Sequence, residues 1–171
     1  KDSVLPIFMG TEEVERIKQK FTALHLHPIY REHAPAVTSE EASKNRGDAL
    51  KQGIKALLFT NNQEFVIVNI PADQKVDQKK VAQTMNWQKS AIRMATPEEV
   101  MKQTGCEIGA VPPLGHKNNI PLLIDIGVYE NKESAFNIGL RTQSVKIPTK
   151  EMKIIFENEH AHEGSFAKER A

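Results

Sequence analysis

The sequence is poor in cysteine and has no long apolar runs. Cys106 is the only cysteine among 171 residues, which excludes an intramolecular disulfide framework. No run approaches the ~18 apolar residues that a membrane-spanning helix needs, and the first residues lack the apolar core of a signal peptide. A reducing, cytoplasmic setting with no membrane partner is therefore expected. The chain begins at Lys1 and not at methionine, so we expect a processed protein or a segment of a longer polypeptide.

An excess of charge of one sign is also missing. Lys and Arg number 23 and Asp and Glu 22, which gives a net charge of +1. Total charge therefore indicates no nucleic-acid partner, and any basic footprint for RNA or DNA must be local.

The motifs that usually hold metals, nucleotides or catalytic serines are absent. The six histidines form no His-Glu-x-x-His frame, and Cys106 has no second cysteine for zinc. There is no phosphate-binding P-loop, dinucleotide fingerprint or Gly-x-Ser-x-Gly elbow. A nucleophilic Cys106 would need a base, and the sequence cannot place His33 or His116 beside it. We assign neither a metal nor a cofactor.

The length and the 39% hydrophobic content fit one globular domain. We expect that domain at residues 1–158, with an N-terminal arm at 1–11 and a polar, mobile tail at 159–171. Capping signals and periodicity predict helices at 12–25, 40–44, 76–85, 97–103 and from 149 onward. They predict strands at 29–31, 36–38, 53–60, 64–70, 92–95, 121–126, 135–138 and 143–147. This mixture predicts an α/β (mixed α+β) fold in which one mixed, mostly antiparallel sheet carries helices on its faces.

The segment from Thr104 to Gly115 has the most unusual composition, with three glycines and two prolines. Glycine lets a backbone approach a ligand closely, and proline fixes φ. Such a loop could hold backbone N–H groups against a substrate oxygen. The same composition also suits a helix C-cap at Gly105 followed by a tight connection.

Lys55 is the most informative single residue. Alternation along the strand at 53–60 places Ile54, Ala56 and Leu58 on one face and Lys55, Leu57 and Phe59 on the other, so both faces are largely apolar. A lysine in such a setting must be paired, reach solvent or serve a ligand. An edge-strand lysine that discourages aggregation fits the pattern equally well.

Two further polar groups and several basic residues are candidates. Asp125 could pair with Lys55, accept loop N–H groups or, as the simplest reading, cap the turn at Gly127. A short polar group between two predicted strands consists of Asn137, Gly139 and Arg141, and its composition also suits a hairpin turn. Basic residues that suit either a solvated surface or phosphate contacts are Lys44, Arg46, Lys79, Lys80 and Arg141.

These motifs together resemble the YbaK / prolyl-tRNA synthetase editing-domain family, over roughly residues 12–157. The segments that carry the resemblance are Arg46–Gly47, Gly53–Phe59, Thr104–Gly115, the strand that ends in Asp125, and Phe136–Arg141. The resemblance implies one α/β domain around a strongly curved mixed sheet. It also implies hydrolysis of the ester of mischarged aminoacyl-tRNA, either by a free-standing trans-editing protein or by a synthetase module. The expected partners are the acceptor end of tRNA and an aminoacyl-tRNA synthetase.

The resemblance also implies roles for particular residues. Lys55 matches the family's essential strand lysine, and Gly109 to Pro113 match its Gly-x-x-x-Pro loop. The N–H groups of Gly109, Ala110 and Val111 are then expected to hold the substrate carbonyl, with catalysis by positioning and without a side-chain base. The substrate-binding set so implied is Gly109, Ala110, Val111, Pro112, Pro113, Gly115, Asp125, Asn137 and Gly139. The implied tRNA contacts are Lys44, Arg46, Lys79, Lys80 and Arg141.

Two positions depart from the family pattern. Alanine-specific relatives tend to carry Asn after the lysine, where this chain has Ala56, and relatives often have Ser, Thr or Gly where this chain has Pro112. The amino acid removed is therefore open among alanine, cysteine, serine and threonine. The alternative function is a non-catalytic tRNA-binding or assembly module of a synthetase complex.

Overall fold

Five α-helices and eight strands occur within the part of the chain that the computed structural model describes, residues 10–36 and 38–169 without the side chains of Ser39, Asn45 and Arg46. The helices are α1 Thr11–Ala23, α2 Ser39–Arg46, α3 Gln78–Met85, α4 Pro97–Thr104 and α5 Thr149–Asn158. The strands are β1 Ile29–Glu32, β2 Ile54–Thr60, β3 Phe65–Pro71, β4 Arg93–Met94, β5 Leu122–Asp125, β6 Glu133–Leu140, β7 Gln143–Pro148 and β8 His162–Gly164. The expected N-terminal arm lies almost entirely outside the described residues.

The strands form two sheets and not the single sheet that we expected. One sheet has the order β1-β7-β6 and is antiparallel throughout. The other has the order β4-β2-β3-β5-β8, antiparallel up to β3 and parallel from β3 to β8. A single bridge between Gly53 and Ala135 connects them. The mixed α/β class is confirmed, but residue alternation defines the faces of a strand and not its neighbours, so the number of sheets was wrong.

The larger core fills the space between the two sheets. Ile54 and Leu58 of β2 face Phe136 and Ile138 of β6, and α1, α4 and α5 close the sides. A second core covers the other face of the five-stranded sheet, where α3 packs on β2 and β3. Trp87, the only tryptophan, lies in this second core and donates its indole N–H to Glu64 at 2.8 Å. The two apolar faces predicted for β2 are therefore confirmed.

Local capping signals identified the starts of two helices, whereas α1 and α5 have Gly10 and Pro148 at the N-cap position, so the caps expected at Thr11 and Thr149 are wrong. Thr38 and Glu41 form a capping box at the start of α2, and Thr96 and Glu99 form another at α4. The strand expected at 36–38 is wrong at Ala36 and Thr38, and Val37 lies outside the described residues. Within the described ranges, no helix combines the length and apolar character needed to cross a bilayer.

The end of the chain differs most from expectation. Residues 162–169, called here the C-terminal segment, were predicted to be a mobile tail, and this is wrong. Residues 162–164 form β8 beside β5, and Phe166 is only 1% exposed in the second core. Asp125 Oδ1 accepts the backbone N–H groups of Phe166 and Ala167, at 2.7 and 3.1 Å. Because β8 reads His-Glu-Gly, it carries no apolar alternation that could reveal a strand.

Candidate active site

Lys55 and the glycine–proline loop, residues 104–115, meet at one pocket of about 120 Å³ between the start of β2, the start of α2 and the middle of β6. The residues that line it are Ala36, Thr38, Ala42, Ile54, Lys55, Ala56, Leu57, Ala72, Ile108, Gly109, Val111 and Asn137. The structure thus brings together the two features that sequence reasoning singled out separately. The lining residues include no histidine, aspartate or glutamate.

The Lys55 ammonium is half-buried in the wall of this pocket. Among the described residues, no hydrogen-bond or ion-pair partner holds it. Burial lowers the pKa of Lys55 below its ordinary value, the carboxylates of Glu40 and Asp73 oppose that shift, and Lys75 adds to it. The pocket therefore contains a positive charge that is left available to a ligand.

The loop wall of the pocket is built on a tight turn. Ala110 N–H donates to Glu107 O at 2.9 Å, and Gly109 has φ of 88°, which are the features of a type II turn with glycine at its third position. The Ala110 N–H is therefore already bonded and cannot also hold a substrate oxygen. This corrects the expectation that three successive loop N–H groups would serve that purpose.

Two side chains hold the carbonyl groups of this turn. Arg141 donates to Ile108 O through Nε at 2.8 Å and Nη2 at 2.6 Å, and Asn137 Nδ2 donates to Gly109 O at 2.7 Å. In a trans peptide the N–H points opposite to the preceding carbonyl. The Gly109 N–H is therefore directed away from Arg141. Among the described residues, no acceptor bonds the N–H of Gly109 or Val111.

Two more side chains hold the proline half of the loop. His116 Nε2 lies 2.9 Å from Pro112 O, and Asn69 Nδ2 lies 3.1 Å from Pro113 O. Burial lowers the pKa of His116 to about 4, so its ring is neutral at pH 7 and must donate from Nε2 to the carbonyl. Both prolines are buried and lie outside the pocket lining, so they stiffen the loop from behind.

Asp125 does not belong to the pocket. Its Oδ2 accepts the Gly127 N–H at 2.9 Å, and its Oδ1 holds the C-terminal segment, so the carboxylate is fully engaged in structure. Of the three roles considered for this residue, the turn cap is the one observed. The substrate-binding role implied by the resemblance is corrected.

Gly115 and Gly139 also lie away from the pocket, and close packing explains both. Gly115 has φ of 75°, and a Cβ there would come within 2.6 Å of Ile17 Cδ1. Gly139 has φ of 131°, and a Cβ there would come within 2.8 Å of Gly10 O at the start of α1. Gly139 lies in β6 at an irregularity and not at the turn, which falls at residues 141–142. Both glycines are structural.

The predicted tRNA contacts are placed unequally. Lys44 is exposed on α2, and the side chain of Arg46 is outside the described part of the chain. Lys79 and Lys80 lie at the start of α3, and Lys80 Nζ donates to Ser165 Oγ at 3.3 Å. Arg141 is committed to the loop and pairs with Glu107 at 3.4 Å, so the structure gives it a positioning role.

The surroundings of Cys106 show whether it could act as a nucleophile. It is fully buried, and burial raises the pKa of its thiol to about 12, which removes it as a nucleophile. No cluster of three potential metal-ligating side chains occurs in the described ranges.

Sequence reasoning missed the α2 side of the pocket and Ile108 at its rim. Thr38 and Ala42 line the pocket from α2, and Ile108 is 38% exposed at the second position of the turn. The capping box located the start of α2 but carried no information on which strand it would face. A larger depression of about 790 Å³ lies beside α5, but it contains neither Lys55 nor any loop residue. We therefore take the smaller pocket, which is lined by the unpaired Lys55 and by Gly109 and Val111, as the candidate site.

Comparison with known proteins gives a consistent picture. Residues 33–154, more than half of the chain, match the aminoacyl-tRNA editing domain family. The chain is 33% identical over 122 residues to the multifunctional Ser/Thr-tRNA deacylase ProXp-y of Escherichia coli (strain K12), covering 68% of this chain and 72% of that protein. It is 33% identical over 89 residues to the proline–tRNA ligase of Thermotoga maritima, covering 52% of this chain and 15% of the ligase. The solved structure of hypothetical protein APE2540 shares the fold, with a TM-score of 0.79 at 21% identity over 90% of this chain and 99% of that one.

Proposed function

The chain belongs to the aminoacyl-tRNA editing domain family, and from that premise we propose that it is a deacylase that hydrolyses the ester of mischarged tRNA carrying a small amino acid. The observation that carries this proposal is the pocket itself. The half-buried, unpaired Lys55 ammonium lies in its wall beside Gly109 and Val111, whose N–H groups have no acceptor among the described residues.

The chemistry needs a place for negative charge on the acyl oxygen. Water adds to the acyl carbon, the bond to the ribose oxygen breaks, and a proton from the water ends on that ribose oxygen. The Gly109 and Val111 N–H groups are the donors for the oxyanion, and one such donor contributes roughly 3 kcal/mol to the barrier reduction. The loop is rigid before substrate arrives because side chains already hold its carbonyls.

Lys55 supplies positive charge for the terminal ribose or its phosphate. An ammonium in a half-buried wall acts more strongly than one in open water. Since no lining residue is a carboxylate or histidine, the water is activated by position, assisted by a hydroxyl of the substrate itself.

The pocket size limits the amino acid. A volume of about 120 Å³ suits a small side chain, and each additional methylene that must be excluded changes binding by ~1–3 kcal/mol. Alanine, cysteine, serine and threonine all remain candidates. The similarity to a protein named for Ser/Thr-tRNA favours serine and threonine, and the similarity to proline–tRNA ligase favours the tRNA for proline.

Phosphate contacts complete the proposal. Lys44, Arg46, Lys79 and Lys80 remain candidates for binding the tRNA backbone, which would follow the acceptor end out of the pocket.

The test is deacylation of a panel of tRNAs charged with alanine, cysteine, serine or threonine. We expect the wild type to hydrolyse one or two of them, and Lys55→Ala to lose at least about 100-fold in kcat, the loss typical of removing a group that stabilises transition-state charge. Lys102→Ala, an exposed lysine on α4, is the charge-matched control. Equal rates for Lys55→Ala and wild type would contradict the proposal.

The second candidate is a tRNA-binding module attached to a synthetase, favoured by the match to 15% of a proline–tRNA ligase. Binding of tRNA or of the ligase without turnover of any charged tRNA would select it.

A further inference from the structure

Another depression, of about 520 Å³, lies beside α3, on the side of the molecule formed by the second core. Its basic lining residues are Lys79 from α3, Lys89 from the loop before β4 and Lys168 from the C-terminal segment. All three side chains are exposed. Three separate stretches of chain therefore bring three ammonium groups to one concave surface, which no local pattern in the sequence indicates.

These lysines are not neutralised within the chain. Among the described residues, none of the three forms an ion pair. Asp77 also lines the depression, but its carboxylate accepts the N–H groups of Lys79 and Lys80 at the start of α3. By contrast, Lys146 lies within 3.7 Å of Asp48 and Lys153 within 3.2 Å of Glu163 elsewhere on the surface. The depression is thus a place where positive charge remains available.

The depression is connected to the candidate active site through Lys75. The exposed Lys75 lies close enough to Lys55 for its charge to act on that ammonium. Its backbone oxygen accepts the Lys168 N–H at 2.8 Å, which fixes the C-terminal segment next to it. Ala72 lines the pocket and Val76 lines the depression, so the short stretch that carries Lys75 runs from one to the other and meets Lys168, which shares the depression with Lys79 and Lys89. The carboxylates that act on this region are Glu40 and Asp73 beside Lys55 and Asp77 in the depression.

We propose that this row is a phosphate track, on which the RNA backbone that precedes the terminal adenosine leaves the pocket and meets Lys75, Lys168, Lys79 and Lys89. The inference rests on the proposed function, because it requires that the acceptor end enters beside Lys55. Exposed, unpaired lysines are compact charges that bind phosphates without reading sequence. The C-terminal segment would then have a role in binding in addition to closing the second core.

The larger depression beside α5 provides a matched control. It is also lined by lysines, including the exposed Lys132 and Lys150, but none of the residues described on the track contributes to it. Removing two charges there changes net charge without touching the proposed track.

The first experiment measures binding of uncharged tRNA to the full chain as a function of salt. For Lys79→Gln/Lys89→Gln/Lys168→Gln, we expect the slope of log affinity against log salt to fall by about 2, since each single-strand phosphate contact contributes ~0.7. Lys132→Gln/Lys150→Gln should keep the wild-type slope. Equal slopes for the triple variant and the wild type would overturn the track, and so would an equal loss per charge in the control.

The second experiment separates the track from the proposed function. We expect the triple variant to raise KM for charged tRNA about tenfold at unchanged kcat, and to leave hydrolysis of aminoacyl-adenosine, which has no phosphate, unchanged. A loss on aminoacyl-adenosine would show a structural defect and overturn the inference. If the wild type hydrolyses neither substrate, the proposed function fails, while the salt slopes still decide whether the track binds RNA.

Discussion

The middle of the glycine–proline loop, residues 108–113, and residues 165–169 of the C-terminal segment are both irregular chain held by side chains from elsewhere, but opposite ends of their peptide groups are held. Between Ile108 and Pro113 of the loop, side chains donate to carbonyls, as Arg141 does to Ile108, whereas towards its ends the N–H groups of Cys106 and Gly115 donate to side chains. In the C-terminal segment, a side chain accepts from N–H groups, as Asp125 does from Phe166. The loop therefore keeps donors for a ligand, whereas the segment has used its own. An irregular stretch can serve as an anion site where the protein holds its carbonyls and leaves the neighbouring N–H groups unbonded.

The largest effect is expected at the support of the C-terminal segment. Asp125→Ala should lower the free energy of unfolding by about 4 kcal/mol, because three N–H groups lose their acceptor and each costs roughly 1–3 kcal/mol. Denaturant unfolding measures this. Deacylation by the folded variant should remain within about twofold of wild type.

Asp125→Asn keeps one acceptor oxygen and should lose about half as much stability. A variant at Asp125 that stays folded but inactive would restore the substrate-binding role that the structure removes.

The next effect is expected at the turn itself. Gly109→Ala should reduce kcat about 100-fold, because a side chain is strained at φ of 88° and the adjoining N–H would move from its direction. Steady-state kinetics with charged tRNA measures it. The stability cost should be about 1–2 kcal/mol.

Gly47→Ala is the control for strain alone. Gly47 has φ of 75°, and nothing lies within 4 Å of a Cβ built there. If both alanine variants lose kcat equally, backbone strain and not the loop donors explains the effect.

A smaller effect is expected when a carbonyl holder is removed. Arg141→Met should lower kcat about tenfold with little change in KM or in the salt dependence of tRNA binding, because the turn loses a bidentate donor but keeps Asn137. Arg93→Met, which removes a comparable surface arginine paired with Glu99 at 2.8 Å, should leave kcat unchanged. A raised KM with a weaker salt dependence would instead make Arg141 the phosphate contact that the sequence first indicated.

The smallest effect concerns the stability and pH response of Lys55. Burial lowers the pKa of Lys55 in the folded chain, so the unfolded chain binds the lysine proton more tightly. The contribution of Lys55 to the free energy of unfolding therefore increases as the pH rises through the lowered pKa. Lys55→Met should therefore be at least as stable as wild type at pH 7, by thermal unfolding. As the pH rises, deacylation activity should begin to fall at a pH below ~10.4, the pKa of an ordinary lysine. A clear loss of stability in Lys55→Met would mean that the ammonium supports the fold.

Local chemistry made the helices, the hairpin and the position of Lys55 predictable. The Thr96–Glu99 capping box and the alternation in β2 depend only on residues a few positions apart. The resemblance to the family indicated that the glycine–proline loop is a binding element. In the structure, the loop and Lys55 line the same pocket.

The supports of the loop were not predictable, because each joins residues far apart in the chain. Asn69 and Pro113 are 44 positions apart, and Arg141 and Ile108 are 33 apart. Any polar residue on a strand could have made such a bond. The lone Phe166 in a polar stretch was the one sign that the tail packs, since a buried phenylalanine needs a core to enter.

The position of Trp87 decides what intrinsic fluorescence can report about this protein. It is the only indole in the chain, lies under α3 and donates its N–H to Glu64. Its emission therefore reports mainly on the second core, near Lys89, and less on the pocket that contains Lys55. RNA bound on the proposed track near α3 would change this emission more than a substrate held beside Lys55. A titration followed by tryptophan emission would therefore report on the proposed track more directly than on the acyl group.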